Sequence, residues 1–206
     1  MFRYDRRAKV VLTRIKAKVQ LVVANQAKFI FKIGLTPNMI SSIGLALAFF
    51  SALVYAHGHE NLILAVFLLI SSGYCDLMDG AVARIYGIAT SFGSFLDSIL
   101  DRYADVMIYF GLIIGGLCSV TWGLAALAGS LLVSYSRARA EAVGVKMETI
   151  GVAERPERLL LIIIATLVEV FVNGAIEVAM IILTLTTNLT VLQRSAYTYK
   201  ALRRSV

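Results

Sequence analysis

Apolar residues fill most of the chain in six long stretches that short polar breaks separate. The stretches lie at residues 38–57, 61–86, 91–117, 120–143, 157–173 and 175–195. Each comes close to the ~20 residues that a helix needs to cross the hydrocarbon core of a bilayer. The pattern therefore predicts an all-α, polytopic membrane protein with six transmembrane helices.

The first 34 residues have a different pattern, in which basic residues are mixed with apolar residues that recur at helical spacing. Nine of the 20 Lys and Arg lie there, and Asp5 is the only acid among them. Such a segment favours a helix lying on a membrane surface and contacting anionic lipid rather than nucleic acid. No cleavable signal peptide is evident. We therefore divide the chain into a basic juxtamembrane amphipathic helix at 1–34 and a six-span domain at 35–206.

The distribution of charge predicts the orientation. The chain is 59% hydrophobic and 16% charged, with a net charge of +7. In a six-span arrangement the N-terminal segment, Arg84, the region 137–158 and the basic C-terminal tail fall on one side of the membrane, and the three other connections carry no Lys or Arg. The positive-inside rule makes the basic side cytoplasmic. We expect a multi-pass protein of the cell membrane with both termini and the active site in the cytoplasm.

Five aspartates lie within the second and third stretches: Asp76, Asp79, Asp97, Asp101 and Asp105. A carboxylate inside a membrane helix costs about 2.5–3.5 kcal/mol on insertion scales, so each needs a partner. Spacings of i,i+3 and i,i+4 put each of the first two pairs on one helix face. If the two helices are antiparallel neighbours, four carboxylates converge and repel one another unless hard cations such as Mg²⁺, Mn²⁺ or Ca²⁺ neutralise them.

A cation site of this kind suits a diphosphate, since metals stabilise the charge of phosphates and leaving groups. One carboxylate could also remove a proton from an attacking hydroxyl. Gly80 would let a substrate approach the helix backbone, Arg84 could contact a phosphate, and Gly93 could let the helices pack closely. The same aspartates also suit a structural ion pair, a cation transporter or channel, or a non-catalytic scaffold. For Asp105, a supporting role beside the cluster and an ion pair are both open.

Eight positions between residues 76 and 101 together resemble the signature of the class I CDP-alcohol phosphotransferases: Asp76, Asp79, Gly80, Ala83, Arg84, Gly93, Asp97 and Asp101. The resemblance implies that the four aspartates of this set bind two divalent ions, usually Mg²⁺ with Mn²⁺ possible, and that Asp101 is the general base. It implies contacts to the CDP-lipid from Asn38, Met39, Ile40, Ser41, Ser42, Gly80, Arg84 and Thr90. An acceptor hydroxyl would attack the β-phosphorus, and CMP would leave. The family also implies a homodimer, which the Gly111/Gly115 pair supports only weakly.

A second basic cluster bears on the acceptor alcohol: Arg137, Arg139, Arg155, Arg158 and Arg194. Guanidinium groups bind phosphate bidentately, so the cluster suits a phosphorylated acceptor, although topology alone also puts basic residues here. The pattern of residues 137–141, Gly151 and residues 154–158 resembles the branch of the family that uses inositol phosphate. This branch comprises the phosphatidylinositol-phosphate and archaetidylinositol-phosphate synthases. Glycerol-3-phosphate, the acceptor of phosphatidylglycerophosphate synthases, is the main alternative.

Overall fold

The computed structural model describes residues 23–147 and 150–203, and every regular element in these ranges is helical. A first helix, α1, occupies residues 23–32. The others are α2 (Pro37–Ala56), α3 (Leu62–Ile85), α4 (Ser91–Ile114), α5 (Val120–Ala142), α6 (Arg155–Glu169) and α7 (Ala175–Arg203). The all-α class is confirmed for this part of the chain. The amphipathic helix predicted within residues 1–34 lies mostly outside the described residues and stays a prediction.

Helices α2 to α7 coincide with the six predicted apolar stretches, but the six-span count is not confirmed. Among the described residues, α2, α3 and α7 are long and apolar enough to cross a membrane. Helix α6 has only 15 residues, which is shorter than a typical span. The sequence therefore predicted where the helices lie, and the number of them that cross the bilayer stays a prediction.

Two helix ends differ from the predicted boundaries. Helix α6 ends at Glu169 rather than near residue 173, because the Glu169 carboxylate accepts hydrogen bonds from the backbone N–H groups of Gly174 (2.9 Å) and Ile176 (2.8 Å). These are among the N–H groups that the start of α7 leaves without helical partners. Helix α7 continues to Arg203 rather than ending near residue 195, since no Gly or Pro interrupts residues 196–203.

The described chain divides into two compact units, of which the first comprises residues 23–45 and 71–100. Its buried core is apolar and joins α1 to α2 and α3: Ala27, Ile40, Met78, Ala81 and Val82. Outside this core the rings of Phe31 and Tyr86 stack with centroids 3.8 Å apart. These contacts fix α1 against the end of α3.

The second unit comprises residues 46–70, 101–147 and 150–203. Within it, α7 packs against both α5 and α6. A side chain at Gly111 or Gly115 would collide with the carbonyl oxygen of Ala52 or Tyr55, respectively. The Gly-xxx-Gly pair therefore brings α4 close to α2 within one chain, and it lends no support to a dimer.

Candidate active site

A cavity of about 320 Å³ lies in the first unit, between the start of α2, the end of α3 and the start of α4. Its lining includes seven residues that the sequence had singled out as ligands: Asn38, Ser41, Asp79, Gly80, Arg84, Thr90 and Asp97. Residues not predicted as ligands also line it: Thr36, Pro37, Ala83, Ile88, Ala89, Gly93 and Ser94. Most of these residues are neighbours in sequence of the predicted ligands, and this proximity is the signal from which they could have been predicted.

The start of α2 puts its polar residues on the cavity. Pro37 opens the helix, where its missing N–H costs no hydrogen bond. The Thr36 hydroxyl accepts a hydrogen bond from the backbone N–H of Met39 at 3.4 Å. Asn38 and Ser41 are three residues apart, so they share a helix face. The positive end of the α2 dipole therefore lies at the cavity, as suits an anionic ligand.

The α3–α4 connection brings a second helix start to the same place. Gly87 has φ +63°, a conformation that favours glycine, and it lies just beyond the end of α3. The Thr90 hydroxyl then accepts a hydrogen bond from the N–H of Gly93 at 3.0 Å and so caps α4. Two helix N-termini and one guanidinium, that of Arg84, thus surround one cavity.

Two glycines keep the cavity open. A Cβ atom at Gly80 would lie 3.1 Å from a guanidinium nitrogen of Arg84. At Gly93 it would lie 3.0 Å from the hydroxyl of Thr90 and 3.5 Å from the side-chain oxygen of Asn38. The contacts with Arg84 and Thr90 are tighter than ordinary ones. The small residues are needed here because cavity-lining side chains occupy the space beside them.

The carboxylates of the signature gather beside this cavity. Asp79 is buried and accepts a hydrogen bond from the Ser41 hydroxyl at 2.5 Å. Carboxylate oxygens of Asp76 and Asp97 lie within 4.8 Å of each other. Asp101 follows Asp97 by one turn of α4 and so lies on the same helix face. This donor set of carboxylate oxygens has the chemistry that hard divalent cations prefer.

Three of the predicted CDP-lipid contacts do not line the cavity. Ile40 is buried in the apolar core between α1, α2 and α3. The Ser42 hydroxyl donates to the backbone carbonyl of Asn38 at 2.9 Å, and Met39 is exposed. Successive residues of a helix point about 100° apart, so a contiguous run cannot all face one ligand.

In the second unit, two of the predicted acceptor arginines bind aspartates of α4. Arg155 approaches Asp101 with a nitrogen–oxygen distance of 2.8 Å and Asp105 at 3.4 Å. Arg158 donates to Asp105 at 3.0 Å and to the carbonyl of Ala153 at 3.0 Å. Of the two roles left open for Asp105, the structure supports the ion pair.

The other three arginines differ in burial. Arg194 is buried and donates to the carbonyls of Ile150 (2.7 Å) and Val133 (2.6 Å) and to Glu154 (3.4 Å). Arg137 and Arg139 are exposed. The charges of Arg137 and Arg158 act on Arg194. Arg137, Arg158 and Arg194 are thus near one another. Arg158 and Arg194 are buried, whereas Arg137 is exposed and open to a ligand.

Comparison with known proteins identifies the family. Residues 34–192 match the model of the CDP-alcohol phosphatidyltransferase family, which covers most of the chain. The chain therefore belongs to the CDP-alcohol phosphatidyltransferase family, and the resemblance stated from the aspartate signature is confirmed. It is an enzyme of phospholipid synthesis, and the transporter and scaffold hypotheses are set aside.

Several of the relatives that the chain matches are named inositol phosphate synthases. An archaetidylinositol phosphate synthase of Pyrococcus horikoshii is 39% identical over 173 residues, 83% of this chain and 90% of that protein. A crystal structure of Mycobacterium tuberculosis phosphatidylinositol phosphate synthase with CDP-DAG bound superposes with a TM-score of 0.76 at 29% identity. The match covers 86% of this chain and 94% of that one. The same enzyme in complex with manganese and citrate also gives a TM-score of 0.76 at 29% identity, with 86% and 88% covered.

Proposed function

We propose that this enzyme transfers the phosphatidyl-type group of a CDP-lipid to inositol phosphate, releasing CMP and forming a phosphatidylinositol-phosphate-type lipid. The observation that carries the proposal is the first-unit cavity, where Asp79, Asp97 and Arg84 share one lining with two helix N-termini. Carboxylates for cations and positive groups for phosphate are what a nucleoside diphosphate needs. The relatives named above, inositol-phosphate synthases of an archaeon and a bacterium, favour the same acceptor.

The four signature aspartates would hold the metal: Asp76, Asp79, Asp97 and Asp101. We propose two Mg²⁺ ions, with Mn²⁺ able to replace them, as the manganese complex of the mycobacterial enzyme suggests. Bound divalent ions supply positive charge that stabilises the diphosphate and the departing CMP. The all-oxygen donor set and the short separation of the Asp76 and Asp97 oxygens support this assignment.

The CDP moiety would occupy the cavity itself. We assign contacts to the five predicted residues that line it, namely Asn38, Ser41, Gly80, Arg84 and Thr90. Arg84 would pair with a phosphate, Gly80 would leave room for it, and the helix starts of α2 and α4 would add backbone N–H groups. We do not assign contacts to Met39, Ile40 and Ser42, whose side chains lie elsewhere.

Asp101 would act as the general base. It accepts a proton from the acceptor hydroxyl as that oxygen forms a bond to the β-phosphorus. The bond from this phosphorus to the oxygen bridging toward the α-phosphate breaks, and CMP leaves with that oxygen. Arg155 lies 2.8 Å from Asp101, so a phosphate held by Arg155 brings the acceptor's hydroxyl close to the base.

We divide the five arginines into two groups by their burial and partners. Arg137, Arg139 and Arg155 would contact the acceptor phosphate directly. Arg158 and Arg194 are almost fully buried and bind carbonyl groups of the chain, so they would hold the neighbouring segment in place. Their positive charge would still favour a phosphorylated acceptor over a neutral one.

Orientation and assembly also belong to the proposal. The concentration of Lys and Arg on one set of connections supports a cytoplasmic active site and cytoplasmic termini. A homodimer is expected from the family resemblance. Cysteine cross-linking from either side of sealed vesicles would test the orientation, and mass measurement in detergent would test the dimer.

The direct test measures CMP release by the purified enzyme in detergent. CDP-diacylglycerol and its archaeal diether analogue are each offered with inositol-3-phosphate, glycerol-3-phosphate, free inositol or serine. We expect rapid release with inositol-3-phosphate and Mg²⁺, and none after chelation. Preference for glycerol-3-phosphate would reassign the enzyme as a phosphatidylglycerophosphate synthase. Full activity of Asp101→Asn would disprove the base assignment, and activity without divalent metal would disprove the metal site.

A further inference from the structure

Thr190, a buried threonine in the middle of α7, holds the segment that leads into α6. It is 0% exposed. Its hydroxyl oxygen accepts hydrogen bonds from the backbone N–H groups of Val152 and Ala153, each at 3.1 Å. The same hydroxyl donates to the carbonyl of Thr186 at 2.8 Å. One side chain therefore satisfies two successive N–H groups of a segment that has no helix of its own.

The contact also depends on shape. Gly151 has φ +124°, and a side chain there would collide with the methyl group of Thr190. The segment thus lies directly on the threonine, with a glycine at the point of closest approach. Serine would keep the hydroxyl, and valine would keep the shape and lose both acceptor interactions.

Two arginines complete the hold on the same segment. Arg194, one turn beyond Thr190 on α7, donates to the carbonyl of Ile150 at 2.7 Å. Arg158 donates to the carbonyl of Ala153 at 3.0 Å. Residues 150–153 are therefore fixed through N–H groups by Thr190 and through carbonyls by the arginines, and Arg155 begins α6 only two residues later.

We propose that Thr190 is a positioning residue for acceptor binding, which sets the placement of Arg155 by fixing residues 151–153 against α7. This inference rests on the proposed function, in which Arg155 binds the acceptor's phosphate. A guanidinium that must meet both Asp101 and a phosphate tolerates little displacement, because small misplacements weaken bidentate contacts strongly. Through Arg155, Thr190 affects the binding of the acceptor, and it leaves the CDP-binding cavity of the first unit unchanged.

The test compares Thr190→Val with Thr190→Ser, using inositol-3-phosphate and CDP-diacylglycerol as varied substrates. We expect Thr190→Val to raise the KM for inositol-3-phosphate about tenfold, with kcat and the KM for the CDP-lipid changed less than about twofold. Thr190→Ser should restore the acceptor KM to within about twofold. The matched control is Thr184→Val, since the Thr184 hydroxyl donates to Met180 of its own helix; it should change neither KM.

Gly151→Ala provides a second route, because it displaces the same segment and leaves α7 intact. It should raise the acceptor KM as Thr190→Val does, and it decides the question if Thr190→Val does not fold. An unchanged acceptor KM in a folded Thr190→Val or in Gly151→Ala, or equal effects on both substrates, would overturn the inference. Arg155→Ala in the same assay separates the two claims. If it leaves the acceptor KM unchanged, the assignment of Arg155 fails; if it raises that KM while the Thr190 variants do not, only the role of Thr190 fails.

Discussion

Asp79 in the first unit and Asp105 in the second are buried to nearly the same degree, 5% and 4% exposed, but their partners differ in charge. Asp79 accepts a hydrogen bond from the neutral hydroxyl of Ser41, and the negative charges of Asp97 and Asp76 act on it. Asp105 is paired with the guanidinium groups of Arg158 and Arg155. A hydroxyl satisfies an oxygen without cancelling its charge, whereas a guanidinium does both.

If the proposed function holds, the difference separates first-unit carboxylates that would bind metal for the reaction from one that is neutralised within the fold. In the first unit, negative charge accumulates beside a cavity, which suits a site for cations and a diphosphate. In the second unit, the chain neutralises a buried carboxylate with its own arginines. The two aspartates are almost equally buried, so burial alone would not tell them apart, and the charge of the partner does.

The largest expected effect tests the first half of this comparison. Asp79→Asn should lower the rate of CMP release by about 10³-fold, because an amide cannot replace a charged metal ligand. In detergent without divalent metal the melting temperature should not fall, since the change removes repulsion between neighbouring carboxylates. Glu60→Gln, in the exposed turn between α2 and α3, is the matched control and should leave activity unchanged. A large loss of stability in Asp79→Asn would show that this carboxylate also serves the fold.

The second prediction reverses the expectation for Asp105. Asp105→Asn leaves the buried guanidinium of Arg158 without its counter-charge and should destabilise the fold by about 3 kcal/mol. Thermal unfolding in detergent measures this loss. Arg158→Gln alone and together with Asp105→Asn completes a double-mutant cycle. The double variant should lose less than the sum of the single losses, and strict additivity would contradict the pairing.

The third prediction concerns Arg155, which contacts both Asp101 of the signature and the ion-paired Asp105. Arg155→Lys keeps the charge but loses the planar fork, so the KM for inositol-3-phosphate should rise about tenfold. The KM for CDP-diacylglycerol should stay within about twofold. Steady-state kinetics with each substrate varied in turn provide the measurement. Equal increases in both constants would mean that Arg155 supports the site as a whole and not the acceptor alone.

The smallest effect is expected at the exposed pair of Arg137 and Glu141, whose nitrogen–oxygen distance is 3.0 Å. Both side chains are about half exposed, 49% and 46%, so solvent screens the interaction. Glu141→Gln should change the free energy of unfolding by less than about 0.5 kcal/mol. Measured beside Asp105→Asn, it shows how far burial raises the cost of losing a charged partner. A loss comparable to that of Asp105→Asn would contradict this account.

Sequence alone determined the features that depend on local spacing. The positions of helices α2 to α7 follow from runs of apolar residues between polar breaks, and the signature from Asp76 to Asp101 defines the family. The cavity could also be predicted in part from local sequence, since its lining residues lie at three helix ends whose positions were predicted to within a few residues. Of the run from Asn38 to Ser42, Asn38 and Ser41 line the cavity, because only one face of α2 reaches it.

The tertiary structure decided the features that depend on residues far apart in the chain. The i,i+4 step from Asp101 to Asp105 looks the same in sequence as the step from Asp97 to Asp101. The approach of Arg155 and of Arg158, the latter 53 residues further on, makes Asp105 an ion-pair partner. Likewise, the apposition of Gly111 and Gly115 with α2, and of Thr190 with Gly151, appears only after packing. Local periodicity determines which face a side chain occupies, whereas the charge and shape of its partner depend on how distant helices meet.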